Sequence, residues 1–299
     1  MSQRSEKIIL TAFIISGVVF LLFWLFYNPS RNLYAFAPGF DNRPPVSANA
    51  VDSVIIGERF ARYDSSYVSG LTGKWPNFRG PDHDNISKEQ INLLESFPET
   101  GPAILWEKDL GEGHAGAAIY NGRVYVLDYD ERRKFDMLHC YSLADGTELW
   151  RRYYAVNIKR NHGFSRTIPA VNDKYVVTMG PHCQVMCCDA ITGDLLWGID
   201  LPREYRTTIP LWYTGQCPLI DNNVAVIAAG GTAFLLGVDC STGSVVWKTP
   251  NPDSLKMSHS SIVPMTLAGK KMYVYNSLDG LCGISAEESD RGKLLWRTT

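Results

Sequence analysis

Two hydrophobic patterns divide the chain. The first is continuous: the twenty residues from Ile8 to Tyr27 (IILTAFIISGVVFLLFWLFY) carry no charge. As a helix they would rise about 30 Å, the thickness of a bilayer's hydrocarbon core. Trp24 and Tyr27 lie near the end, where aromatic rings suit the headgroup layer. Arg4 and Lys7 precede the segment and Arg31 follows it. That slight excess favours a cytoplasmic N-terminus, a single-pass anchor in the inner (cytoplasmic) membrane, and a bulk facing the periplasm or exterior. A cleaved signal peptide is the alternative. Its apolar region is usually only about 7–15 residues, yet Ala35-Phe36-Ala37 resembles a cleavage box.

The second pattern is broken and recurrent. Short apolar runs of strand length alternate with turn residues and close on Leu-Trp or Val-Trp. Four segments repeat it: Leu143–Trp150, Ala190–Trp197, Cys240–Trp247 and Asp290–Trp296. Gly146, Gly193, Gly243 and Gly292 each stand four residues before their Trp, and a degenerate fifth copy runs from Thr100 and Gly101 to Trp106. The Trp-to-Trp intervals are 44, 47, 50 and 49 residues, the period of four-stranded propeller blades. The second interval parses as strands over Arg166–Asn172, Lys174–Met179, Gln184–Asp189 and Leu195–Leu201. Gly193 serves the last turn, where a positive φ costs glycine little. Pro169, Pro218 and Pro264 fall in first strands, whose free inner edge tolerates a missing N–H.

The pattern predicts an all-β chain: a partial β-propeller of about four four-stranded blades, preceded by one N-terminal transmembrane helix. The expected divisions are an anchor over 1–27, a linker over 28–74, a lead-in over 75–102 and blades over 103–299. An outer strand is expected at Ala103–Asp109, with no other strands before it. A short helix is expected at Ser87–Phe97, with Ser87 as N-cap and Gln90 three residues on.

Cys187-Cys-Asp189-Ala-Ile-Thr192-Gly193-Asp-Leu-Leu-Trp197 resembles the tryptophan-docking pattern A-x-D-x-x-T-G-x-x-x-W, with Cys for the leading Ala. Gly237-Val-Asp239-Cys-Ser-Thr242-Gly243-Ser-Val-Val-Trp247 matches it equally well. Ser142 and Ser285 replace the Asp in the other two copies. These repeats resemble those of the pyrroloquinoline-quinone (PQQ)-type propellers, which include quinoprotein alcohol dehydrogenases and the propeller subunit of the outer-membrane protein assembly machinery. Trp75-Pro-Asn-Phe-Arg-Gly-Pro81 is similar to the lead-in of membrane-anchored members. The family's usual eight blades imply that about half a ring lies outside residues 75–299. The resemblance is specific for fold and weak for activity.

Charge and composition add little to this. A net charge of −2 gives no field that points to nucleic acid. Aromatic content of 12%, with 15 Tyr and 8 Trp, suits pleated, half-buried surfaces. Seven cysteines is an odd count. Cys140 and Cys187 share a register that Gly237 takes in the next repeat, which reads as a small packing residue. Adjacent Cys187 and Cys188 suggest, through the family resemblance, a vicinal disulfide against a quinone. Strand neighbours point to opposite faces, so plain burial is expected.

Histidine is scarce, yet His114, His162 and His259 each fall just ahead of a first strand, with Trp212, Tyr213 and Gln216 in the matching stretch of the third repeat. In a propeller those approaches converge on an axial funnel, where a ring of His could bind a metal or an anionic ligand or titrate near neutral pH, or could simply hydrogen-bond to loop backbone. Arg151, Arg152, Lys159, Arg160 and Arg166 form a basic cluster near it in sequence. Asp82 and Asp84 lack the glycine and distal Glu of a calcium loop and read as turn residues. No metal site is expected. PQQ and calcium are implied by the resemblance alone.

Three functions remain open. The first is a membrane-anchored extracytoplasmic binding or scaffold propeller with a protein partner. The second is a PQQ-dependent dehydrogenase of alcohols or sugars, and the third a fragment without independent function.

Overall fold

The computed structural model describes residues 3–27, 54–64, 69–159 and 164–298. They fall into two units, Met1–Ala50 and Val51–Thr299. In the first, helix α1 spans Gln3–Phe26. Its Ile9–Phe26 stretch is long and apolar enough to cross a membrane, as an anchor and a signal sequence both are. Arg31 and the Ala35–Ala37 box lie outside the described residues.

The second unit is all-β apart from one short helix. Blade one comprises β1 (Arg59–Arg62), β2 (Ala118–Tyr120), β3 (Arg123–Asp130), β4 (Phe135–Ser142) and β5 (Glu148–Ala155), in the order β1-β5-β4-β3-β2. Blade two comprises β6 (Ala170–Val171), β7 (Tyr175–Met179), β8 (Gln184–Asp189) and β9 (Leu195–Asp200), followed by helix α2 (Leu201–Tyr205). Blade three comprises β10 (Leu219–Asp221), β11 (Val224–Ala228), β12 (Ala233–Asp239) and β13 (Val245–Pro250). Blade four comprises β14 (Val263–Leu267), β15 (Lys270–Ser277), β16 (Gly280–Ser285) and β17 (Leu294–Arg297). Every pairing within a blade is antiparallel. The sequence-predicted strands of blade two coincide with β6–β9, the first of them shortened to two residues.

Strand alternation gives each sheet two faces, and the core lies in layers between neighbouring blades. Tyr125, Leu138 and Trp150 of blade one meet Val176, Met186 and Cys188 of blade two. Val177, Val185 and Cys187 meet Ala225, Ile227 and Leu236 of blade three. Val226, Phe234 and Leu235 meet Tyr273, Tyr275 and Ile284 of blade four. Cys187 and Cys188 thus serve different layers, and all seven cysteines are buried and unbridged. Cys140, Cys187, Gly237 and Gly283 pair directly with Trp150, Trp197, Trp247 and Trp296, which is why small residues share that register.

Trp106, Trp150, Trp197 and Trp247 each then cover the turn glycine of the next repeat. A Cβ on Gly146 would lie 2.7 Å from Trp106, on Gly193 2.5 Å from Trp150, on Gly243 2.8 Å from Trp197 and on Gly292 2.8 Å from Trp247. All four glycines also have positive φ, between 69° and 84°. The preceding Asp shapes the turn: Asp189 Oδ1 accepts the amides of Ile191 (2.9 Å) and Thr192 (2.7 Å), and Asp239 Oδ1 those of Ser241 (3.0 Å) and Thr242 (2.9 Å). Ser142 and Ser285 substitute hydroxyls that accept from the residue two positions on.

The carbonyl after the Asp or Ser position is contested. Trp106 Nε1 donates to Leu143 O and Trp197 Nε1 to Cys240 O, both at 2.9 Å. In the layer between blades one and two, Tyr125 Oη donates to the equivalent Ala190 O at 2.9 Å, and Trp150 Nε1 is buried without an acceptor. Arg291 Nε takes Ala286 O in the same way, and Trp247 Nε1 is left unpaired.

Three expectations change. Residues 103–109 form no strand, because a strand needs a hydrogen-bonding neighbour; of that segment Trp106 alone keeps its role. Ser87–Phe97 forms no helix: Ile91, Leu93, Leu94 and Phe97 stand exposed with no face to bury, and Glu89 accepts the Lys74 amide instead. Part of the stretch assigned to a linker joins blade one. Strand β1 pairs with β5, Gly57 O accepts from Arg152 Nη1 (2.8 Å), and Ile56 is buried against Gly198.

Two glycines with the same backbone conformation separate the seat from the turn. Gly193→Ala is expected to cost about 2–5 kcal/mol, combining a left-handed alanine with overpacking against Trp150. Gly101→Ala has φ +79° but open space around it and should cost only about 1–2 kcal/mol. Urea denaturation measures both, and equal losses would contradict the seat.

Candidate functional site

The first strand of each blade is approached by a loop, and these loops meet. His114 and Gly116 precede β2, Arg166 and Ile168 precede β6, Gly215 and Cys217 precede β10, and His259–Ser261 precede β14. With Phe78, Arg79 and Val263 they line a cleft of about 470 Å³. Hydrogen bonds tie the loops in blade order. His114 N donates to Ser165 O (2.7 Å), Arg166 Nη2 to Tyr213 O (3.1 Å), Ile168 N to Cys217 Sγ (3.2 Å) and Cys217 N to Ser261 Oγ (3.0 Å). Gly215 allows a close approach: a Cβ there would lie 3.1 Å from His259.

The lead-in reaches the cleft by using the free edges of the innermost strands. Trp75 N and O exchange hydrogen bonds with Ile119 of β2 at 2.8 Å, and Pro76 O accepts from Val171 N of β6 at 2.8 Å. That pairing sets Phe78 and Arg79 among the lining residues. Arg79 has φ +70°, a conformation that costs a residue with a Cβ about 1–2 kcal/mol.

The cleft is cationic. Burial lowers the Arg166 pKa, and burial together with the Arg166 charge lowers that of His259. No Asp or Glu is among its lining residues.

Of the residues singled out in the sequence, His114, Arg166 and His259 come together here. Tyr213 and Gln216 serve the scaffold. Tyr213 Oη accepts from Lys159 N (2.9 Å) and donates to Lys159 O (3.0 Å). Gln216 is fully buried and clamps Ala228, accepting from its amide (2.7 Å) and donating to its carbonyl (3.0 Å). Trp212 is half-buried and not among the lining residues. His162 lies outside the described residues, as does Arg160.

The basic cluster divides. Adjacent strand residues point to opposite faces. Arg152 is buried, donates to Gly193 O (2.7 Å) and Gly57 O, and stacks over Phe60. Arg151 faces the other way, near Glu148 and over Tyr63. Asp82 and Asp84 do form a turn, bridged by Lys88 at 2.5 and 3.3 Å.

Two buried polar groups escaped the sequence reading. His139 lies between Asp128 (Nε2, 3.0 Å) and Glu148 (Nδ1, 2.8 Å). Burial works to lower its pKa, but the two carboxylates outweigh burial and raise it. Each ring nitrogen thus faces a carboxylate oxygen, an arrangement that favours the protonated ring. His139 lines a cavity of about 810 Å³ on the face of blade one away from blade two, where Arg133, Arg151 and Lys108 also meet Asp109, Asp128 and Glu148. Charges of both signs balance there, unlike in the smaller cleft. Asp136 is the second group. It accepts from Tyr154 Oη (2.8 Å) and Ser165 Oγ (2.7 Å). Burial pushes its pKa up to about 6, against those two hydrogen bonds and with help from Asp128. Both groups interrupt apolar alternation inside strands, the one signal that could have marked them.

Among the described residues, the lining of this cleft offers no carboxylate of the kind that usually holds calcium and no tryptophan for stacking on a quinone. Among the described residues no three His, Cys, Asp or Glu converge as metal ligands.

Four-stranded blades joined by a glycine-to-tryptophan seat, with first strands converging on one cleft, define a PQQ-type repeat β-propeller. The chain belongs to the family described as outer membrane protein assembly factor BamB, whose profile matches residues 133–299, more than half of the sequence. It is 24% identical over 193 residues to quinohemoprotein alcohol dehydrogenase ADH IIB of Pseudomonas putida, covering 62% of this chain and 26% of that enzyme. It is 27% identical over 170 residues to quinoprotein alcohol dehydrogenase PedH of Pseudomonas putida, covering 54% and 27%. The chain thus spans about a quarter of the length of these curated relatives. Among solved structures it is similar to BamB from Moraxella catarrhalis, with TM-score 0.44 and 17% identity over 65% of this chain and 51% of that one.

Asp136 gives the core of blade one a pH signature. A carboxyl whose pKa is raised on folding contributes most to stability when protonated, below about pH 4, and that contribution is lost as pH rises through about 6. The difference in unfolding free energy between the wild type and Asp136→Asn should therefore change by roughly 3 kcal/mol between pH 4 and pH 7.5. Parallel urea titrations measure it, and a flat difference would contradict the assignment.

Proposed function

We propose that this protein is a membrane-tethered binding or scaffold propeller acting outside the cytoplasm, with an apolar face on blade four that packs against a further Gly-to-Trp β-blade. One observation carries this reading. Trp106, Trp150, Trp197 and Trp247 each cover a glycine of the next turn, whereas Trp296 has no such glycine among the described residues. Register puts Trp296 on the same face as Val274, Val263 and Met265, the face away from blade three. Met265 and Leu281 stand exposed there.

The occupant that fits is a further β-blade with a positive-φ glycine turn and a flat apolar face, since that is what the three preceding inter-blade layers hold. A second copy of this chain fits poorly, because its own Trp106 already covers Gly146. The exposed Ile91, Leu93, Ile104 and Leu105 add apolar surface suited to the same kind of contact. An assembly role is in keeping with the family's description, and helix α1 with a tether.

A photo-crosslinking residue at Leu281, in the full chain in its membrane, is expected to capture a peptide carrying a Gly-to-Trp repeat. Trp296→Asp should reduce the yield about thirty-fold, the effect of losing a hot-spot aromatic. Capture of lipid alone, or no change with Trp296→Asp, would overturn the docking face.

The quinoprotein reading draws on the two dehydrogenase relatives, but the cleft offers no calcium ligands. Full-length protein given PQQ and calcium is expected to reduce no dye with alcohols or sugars. Turnover above the protein-free control would reverse that reading.

A further inference from the structure

We propose that the cleft where the four blades' first strands converge is a binding site for a small anion carrying a carboxylate or phosphate group, held by Arg79 and Arg166. The site is independent of the docking face on blade four, so failure of either leaves the other standing.

The argument begins with an unbalanced charge. The chain as a whole carries −2, yet two guanidiniums and two imidazoles meet in one cleft without a lining carboxylate. Bringing like charges together is unfavourable unless an opposite charge joins them.

The donors are positioned. Arg166 lines the cleft and is anchored there through Nη2 on Tyr213 O. Arg79 lines it too, and among the described residues it makes no ion pair. Ser261 Oγ accepts from Cys217 N, which leaves its own hydrogen to donate. A planar guanidinium matches the paired oxygens of a carboxylate or phosphate.

Backbone cost points the same way. Arg79 holds φ +70° beside Gly80, and strain of this kind gathers at ligand sites. The lead-in that imposes it is fixed by the hydrogen bonds of Trp75 and Pro76 to β2 and β6. The cleft's volume, about 470 Å³, suits a small molecule.

Isothermal titration of the full chain in detergent tests the site, with inorganic phosphate and citrate as probes at constant ionic strength. Saturable binding of at least one probe is expected, and the tighter of the two identifies the phosphate or carboxylate source. Arg79→Gln and Arg166→Gln should each weaken it ten-fold or more, the effect of losing a charge-assisted hydrogen bond. Arg166→Gln also removes the bond to Tyr213, so Arg79→Gln and His114→Glu, which places a carboxylate in the cleft, serve as variants that spare it. Arg133→Gln, on blade one outside the cleft, should leave affinity unchanged. Binding of neither probe would overturn the proposal. So would affinity that survives Arg79→Gln and His114→Glu, or falls equally with Arg133→Gln.

Discussion

The laying of an indole over a turn glycine is the contact on which the rest of the structure depends. It requires a residue with no Cβ at positive φ on one blade and a flat ring on the outer strand of the blade before. Trp150, Trp197 and Trp247 meet both demands, and Trp106 supplies the ring for Gly146 from a segment that forms no strand. Other sequence features follow from it. The Asp and Thr before the glycine shape the turn, and the small residue opposite each Trp makes room for the ring. Where a second donor takes the carbonyl that the indole would use, the indole N–H goes unpaired, as at Trp150 and Trp247. The ring still stays in place, so packing outweighs the hydrogen bond, in keeping with the large area an indole buries.

The seat also sets how the inner strands meet. Once outer strands are locked blade to blade, the loops into β2, β6, β10 and β14 are brought together, and a chain of hydrogen bonds runs from His114 to Ser261. The lead-in caps the free edges of β2 and β6 and carries Arg79 in with it. Two electrostatic regimes result. On blade one, His139 sits between two carboxylates and its charge is matched. In the cleft the cationic groups have no such match, which makes it the better candidate for a ligand.

Much of the fold was legible because the repeat is written in residue types with narrow physical roles. Gly193 and Trp197 can be placed from sequence because few other residues do their work. The failures have one cause: each depended on a partner distant in sequence. Ala103–Asp109 has the composition of an outer strand but no neighbour to pair with. Ser87–Phe97 has a capping signal but no surface for its apolar side. Arg59–Arg62 carries no strand signal of its own and pairs because β5 offers an edge. Helix α2 is an exception. Its Asp200 cap accepts from Arg203 N, and Glu204 returns a bond to Asp200 N, so its signal was local and was missed.

The sequence by itself determined the blade class, the period, the strands that carry Trp150, Trp197, Trp247 and Trp296, and the separation of an apolar N-terminal helix, because these rest on local periodicity and on residues with few substitutes. Tertiary structure alone decided which groups share a space. His114, Arg166 and His259 meet with Arg79, although 180 residues separate Arg79 from His259. Gln216 and Tyr213, drawn from the same loops, turn away to hold backbone. Arg151 and Arg152, adjacent in the chain, face opposite sides of a sheet. Charge at one residue is a local property, but the balance of charge in a cleft depends on how blades twist past one another, and one strand's pattern does not encode that.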